Sequence, residues 1–189
     1  MPEMISAHIT LGGCVLAELV PQLCTLISQE DLTLEWGGNQ FLPQTAEDLL
    51  SARQPEQQHI QLFADEASWG QFAALEQFLI EQEIPFDRHH DAKYEIASTT
   101  LYFRPESGRQ EYLTNGDEVI CEVGPLRALA TSLRHLRDQL SGGQISAAQN
   151  MIASSIDLLD AHLPAEVPPL PPFGIVGLTA DKSSKYQEA

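Results

Sequence analysis

Ile5-Ser6-Ala7-His8-Ile9-Thr10-Leu11-Gly12-Gly13 is the stretch on which the fold turns. Apolar and polar residues alternate through it, the period-two pattern of a half-buried strand, until the glycine pair breaks it. Leu16, Leu19, Leu23 and Leu26 or Ile27 then recur at helical spacing. Pro21 falls inside that pattern, so the helix is expected to start near Glu18 with the proline in its first turn. Asp31-Leu-Thr-Leu-Glu-Trp36 reads as a second strand, ended by the turn formers Gly37, Gly38 and Asn39. A short helix is expected over Ala46 to Arg53, with Thr45 as its cap.

The unit then recurs. His59 to Ala64 reads as a strand, Trp69 to Gln82 as a helix with Phe72, Leu75 and Leu79 inward, and Ile84 to Arg88 as the start of another strand. Leu26-Ile-x-Gln-Glu30 matches Leu79-Ile-x-Gln-Glu83, a weak similarity that fits either an internal duplication or two amphipathic helices matching by chance. The order β-α-β-β-α-β is that of a split βαβ, ferredoxin-like layer, two helices on one face of an antiparallel sheet. That reading places the first strand and the His59 strand side by side and parallel.

More strand signal follows. Tyr94 to Ile96 and Thr100 to Arg104 suggest a hairpin, and Glu111 to Thr114 and Glu118 to Val123 flank the type I′ signal Asn115-Gly116-Asp117. From Pro125 the period changes. Leu126, Leu129, Leu133, Leu136 and Leu140 make an apolar seam on one helix, stopped at Ser141-Gly142-Gly143. Ile152, Ile156, Leu159 and Leu163 line a second, giving an αα-hairpin. Pro164 to Pro172 holds five prolines and should run extended as a spacer or strap. The expected architecture is α+β: a ferredoxin-like sheet extended by a β-meander over 1–123, an αα-hairpin over 124–163 and a proline-rich tail over 164–189.

Composition narrows the function classes. The chain of 189 residues is 43% hydrophobic and 20% charged, a globular balance. Its 27 acidic against 10 basic residues leave a net charge of −17, which opposes general attraction to nucleic acid or anionic membrane. The charge is lopsided: residues 1–86 hold 13 acidic residues and 1 basic one. Arg88, Lys93, Arg104 and Arg109 cluster later, and Arg127, Arg134 and Arg137 sit on the leucine helix. Such segregation either keeps the protein soluble or steers it to a partner, and the Arg88, Lys93, Arg104 and Arg109 group is the candidate binding cluster. The N-terminus has no basic n-region, and no apolar stretch is long enough to span a bilayer, so a cytoplasmic setting is expected. Cys14, Cys24 and Cys121 are then expected as free thiols.

Catalytic motifs are scarce. The sequence contains no phosphate-binding glycine loop with lysine, no dinucleotide fingerprint, no nucleophile elbow, no H-E-x-x-H and no C-x-x-C pair. Gly12-Gly13 fits an anion cradle or simply a tight turn. Asp87-Arg-His-His-Asp91 is the densest polar cluster. On a strand, Asp87 and His89 share one face and Arg88 and His90 the other, so one ion cannot gather them all. Strand parity puts His8 and His59 on the same open face as Asp87 and His89, and these four are the candidate metal or acid–base residues. Structural hydrogen bonding is the competing reading. Nothing places a base beside Cys121, which argues against a thiol nucleophile.

The expected function is therefore a non-enzymatic cytoplasmic binding or regulatory protein acting through protein contacts, without cofactor, resident metal or membrane. Direct nucleic-acid binding is not expected, and the leucine helix offers a route to a homodimer. The alternative is a small metal-dependent or acid–base enzyme built on His8, His59, Asp87 and His89.

Overall fold

The computed structural model describes residues 2–116, 118–120, 123–141 and 145–178. The thiol of Cys121, the turn residue Asp117, the stop at Gly142 and Gly143 and the polar end from residue 181 lie outside the described residues. The chain divides into two units, Met1–Glu111 with Pro168–Ala189, and Tyr112–Val167. The sequence boundaries, after residues 123 and 163, differ from these divisions after 111 and 167, the first lying later and the second earlier.

The fold is mixed α+β, with a six-stranded antiparallel sheet. Its order is β3 (Ile60–Ser68), β1 (Met4–Leu11), β4 (Phe86–His90), β5 (Thr99–Arg104), β6 (Gly108–Asn115), β7 (Glu118–Val119). The alternation in β1 works as its sequence implies: Ile5, Ala7, Ile9 and Leu11 are buried on one face. Ile60, Leu62 and Ala64 of β3 and Phe86 of β4 join them. Against this face pack α1 (Val20–Gln29) through Val20, Leu23, Cys24 and Ile27, and α3 (Ala73–Glu81) through Leu75, Phe78 and Leu79. Pro21 sits in the first turn of α1. Thr45 caps α2 (Ala46–Ser51) in a reciprocal capping box with Asp48.

Two expectations about the sheet are corrected. β1 and β3 run antiparallel, Ile9 opposite Leu62 and Leu11 opposite Ile60, not parallel as the split βαβ order requires. The connection between them carries two helices and a long loop, so no single right-handed crossover fixes its direction. Asp31 to Trp36 is also not a strand. Asp31 has φ 52, and the Thr33 hydroxyl bonds the Glu35 carbonyl at 2.7 Å, a local bond that competes with a ladder. Only Thr33 pairs with the sheet, exchanging two 2.9 Å bonds with Phe63 on edge strand β3. That single bridge covers part of an otherwise open edge.

A second, two-stranded sheet joins β2 (Cys14–Leu16) in parallel to β8 (Gly174–Val176), which follows the proline segment. The glycine pair is the crossing point. A Cβ on Gly12 would stand 2.3 Å from the Pro171 carbonyl oxygen, and Gly13 has φ 72 with the Pro85 ring 2.6 Å from where its Cβ would lie. Gly12 donates to Pro85 O at 3.1 Å and Gly13 to Pro171 O at 2.9 Å, so both amides are spent on backbone rather than turned to an anion.

In the other unit, α4 (Val123–Ser141) packs against α5 (Ile145–His162). Among the described residues of that unit only Thr114, Ala148 and Ser155 are buried.

Candidate functional site

The sheet face opposite α1 and α3 carries all four candidate side chains, in two groups. His8 stands opposite His89 in the β1–β4 ladder, their rings 5.2 Å apart and tilted by 33°. Phe63 lies 5.7 Å from the His8 ring, and Trp36 meets it edge-on at 6.3 Å while leaning on Phe63 at 4.9 Å. The Thr33 bridge is what carries Trp36 onto this face. His89 bonds Thr100 Oγ1 through Nδ1 at 2.9 Å, with Nε2 3.5 Å from an Asp91 carboxylate oxygen. A carboxylate, an imidazole and a hydroxyl in line resemble a proton relay, but Thr100 is buried and presents no hydroxyl to an incoming group.

Asp87 and His59 form the second group, beside the proline segment. Asp87 accepts from Arg104 Nη1 at 2.6 Å, and Arg104 Nε donates to Pro168 O at 2.9 Å. His59 Nε2 is 3.0 Å from Leu170 O, and since a carbonyl only accepts, the proton sits on Nε2. Burial pushes the Asp87 carboxyl above its ordinary value, against the hydrogen bond and charge of Arg104 and the pull of His59. Among the described residues no three His, Cys, Asp or Glu side chains come together to hold a metal ion.

The candidate binding cations are placed differently from their sequence reading as an outward cluster. Arg88 is fully buried on the helix-covered face. Its Nη1 donates to Gly70 O at 2.9 Å, its Nη2 pairs with Glu111 at 3.1 Å, and its Nε lies 3.1 Å from the buried Glu76. Glu76 also receives the Phe72 amide at 2.9 Å, at the start of α3. Arg104 is buried too, tied to Asp87 and to backbone carbonyls. Lys93 donates to the Met4 carbonyl and lies 5.9 Å from the Tyr94 ring centre. Arg109, half exposed, pairs with Glu111 at 3.2 Å.

Glu111 and Asp87 respond to acid in opposite directions. Burial alone would raise the Glu111 carboxyl, but the Thr99 hydroxyl, Arg88 and Arg109 together hold it below its ordinary value. Its contribution to stability is therefore present above the ordinary carboxylate range and lost as pH falls through the lowered value. Asp87, raised, contributes most below the ordinary range and loses its contribution as pH climbs through the raised value. Glu111→Gln should flatten the acid limb of a stability–pH curve measured by urea midpoints, and Asp87→Asn should steepen it. The reverse order of slopes would contradict the geometry of both sites.

Trp36, Phe63, Thr100 and the carbonyls of Pro168 and Leu170 complete the open face, and Glu76 completes the buried Arg88 site on the other; the sequence assigns none of them a role. A tryptophan between Glu35 and two glycines was the available signal, since a large aromatic in a turn needs a surface to lie on. Among the described residues, no helix is long and apolar enough to cross a membrane. No family model, no curated protein and no solved structure matches the chain.

Proposed function

We propose that this chain is a non-enzymatic binding protein whose sheet unit receives an arginine- or lysine-rich segment of a protein partner, in the cytoplasmic setting its sequence leads one to expect. One observation carries the reading: among the described residues of the unit the cations are engaged with its own groups, while most of the carboxylates are exposed. Arg53, Arg88, Lys93 and Arg104 donate to groups of the unit itself, and Arg109 is paired with Glu111. Asp31, Glu35, Asp65 and Glu66 are exposed.

Trp36 and Leu34, 48% and 43% exposed, sit among them, and Asp65 stands two residues beyond Phe63 on the same strand face. An exposed indole flanked by carboxylates suits a guanidinium, which stacks on the ring while its hydrogens reach the acids. The candidate acid–base residues are largely occupied with one another and with the proline segment, which favours binding over catalysis.

The test titrates an arginine-rich peptide into the protein by isothermal calorimetry. Saturable binding that weakens as salt rises is expected, with a loss of tenfold or more in Trp36→Ala and in Glu35→Lys with Asp65→Lys, about 1.4 kcal/mol. Binding indifferent to salt and to these substitutions would refute the reading.

A further inference from the structure

We infer that α4 and α5 form one half of a four-helix bundle completed by a second copy of this chain. The proposal rests on the helical unit and stands apart from the acidic surface of the sheet unit. Leu126, Leu133 and Leu140 of α4 are 45%, 48% and 52% exposed and repeat every seven residues. On α5, Ile145, Ile152 and Ile156 and, one residue past its end, Leu163 are 65%, 44%, 50% and 49% exposed, at steps of seven, four and seven. Both spacings are those of a left-handed supercoil seam. Leu129 and Leu136, less exposed, step along a neighbouring stripe of α4, while Ala148 and Ser155 are the buried positions of α5. Each helix thus has one stripe for the other and a second apolar stripe beside it.

The two outer stripes fall on one side of the pair. Residues 141 and 145 are at most about 14 Å apart, half the length of either helix, so helices packed along each other over this connection run antiparallel. On both helices the outer stripe is displaced by a little under a quarter turn in the direction of increasing residue number. For antiparallel neighbours those displacements point the same way, giving one continuous aliphatic face. It is about 27 Å long and two helices wide, about 500 Å2 per copy and 1,000 Å2 for a pair, the size at which specific interfaces begin. A helix pair with so few buried residues has no core without such a cover.

Charge selects a second copy and its orientation. Arg127, Arg134 and Arg137 leave α4 net basic although Asp138 pairs with Arg137 at 3.3 Å, and Asp157 and Asp160 make α5 acidic. A twofold axis along the helices lays α4 of one copy over α5 of the other, antiparallel, matching opposite charges on both sides at once. An axis across the helices would stack α4 on α4 and oppose like charges.

Light scattering and native mass spectrometry of the full chain test this directly. A dimer is expected across the micromolar range, with Leu133→Asp combined with Ile152→Asp leaving a monomer that retains the sheet unit by thermal melting. Arg127, Arg134 and Arg137→Glu in one variant, and Asp157 and Asp160→Lys in another, should each dimerise poorly alone and form a mixed dimer when combined. Recovery on mixing separates the interface from a simple failure to fold. A monomeric wild type would overturn the proposal, as would a dimer indifferent to the aspartate substitutions or variants that fail to pair on mixing.

Discussion

Arg88→Ala should cost about 3–5 kcal/mol of folding stability, the cost of removing one partner from a buried charge pair. Set against the roughly 5–15 kcal/mol that holds a typical domain together, that removes from about a fifth to the whole of the margin. Arg88 is fully buried; its guanidinium donates to Gly70 O before α3 and to Glu111 on β6, and its Nε forms an ion pair without a hydrogen bond, 3.1 Å from Glu76 within α3. Alanine leaves the Glu76 carboxylate, whose side chain is 8% exposed, with the Phe72 amide but without a counter-charge, and leaves a cavity beneath the helix. Arg88→Lys should recover only part of the loss, because one ammonium cannot serve Gly70 O and Glu111 while lying beside Glu76 as the planar guanidinium does. Arg88→Met with Glu76→Leu should recover more, since an apolar pair of similar volume leaves no charge unanswered. Urea midpoints for the single and double variants give the coupling between the two positions. A loss below about 1 kcal/mol in Arg88→Ala would show that the ion pairs do not tie α3 to the sheet. For the same reason, charge reversal at Arg88 or Arg104 would disturb the core and cannot serve as a probe of partner binding.

Arg88 also marks how far the sequence could be read. Strand parity in Asp87-Arg-His-His-Asp91 separates Asp87 and His89 from Arg88 and His90, and the sheet keeps that separation. Parity does not say which charged residue is buried, and an arginine in a polar run reads as exposed because so few are fully enclosed. The same limit applies to direction. Alternation in Ile5 to Leu11 identifies the buried face of β1 but is equally compatible with a parallel or an antiparallel neighbour. His8 and His89 were placed on one face by parity alone. Their meeting at 5.2 Å depends on the antiparallel register of β1 and β4, which no local pattern encodes. Asp31 to Trp36 misled because Leu32 and Leu34 alternate like a strand while the Thr33 side chain and the positive φ of Asp31 bind the backbone locally. Strands β2 and β8, three residues each, are too short for any periodicity to register.

Phe173→Ala should cost about 3–5 kcal/mol, the usual loss for a phenylalanine truncated in a core, and should release the segment that precedes it. Phe173 is 1% exposed and belongs to the main hydrophobic cluster although it lies more than 80 residues from β4. Its amide donates to Gln58 O at 2.8 Å, and its carbonyl accepts from Arg53 at 3.3 Å. The four prolines from Pro168 to Pro172 have no N–H, so apart from the Leu170 amide the strap they form can only accept hydrogen bonds, and groups facing its carbonyls must donate. The residues beneath meet that demand: Arg104 at Pro168, His59 at Leu170 and the Gly13 amide at Pro171. Lifting the strap would leave the buried Arg104 with fewer acceptors and β2 without its β8 partner, so the loss should extend beyond the phenyl ring itself. Hydrogen exchange is then expected to quicken at Gly13 and Gly174 in Phe173→Ala, more than at Ile9 or Leu62 in the sheet centre. Leu178→Ala, at a half-exposed position past β8, should stay within about 0.5 kcal/mol of wild type. If Phe173→Ala unfolded no more easily than Leu178→Ala, the strap would be an ornament on the sheet unit rather than part of what closes it.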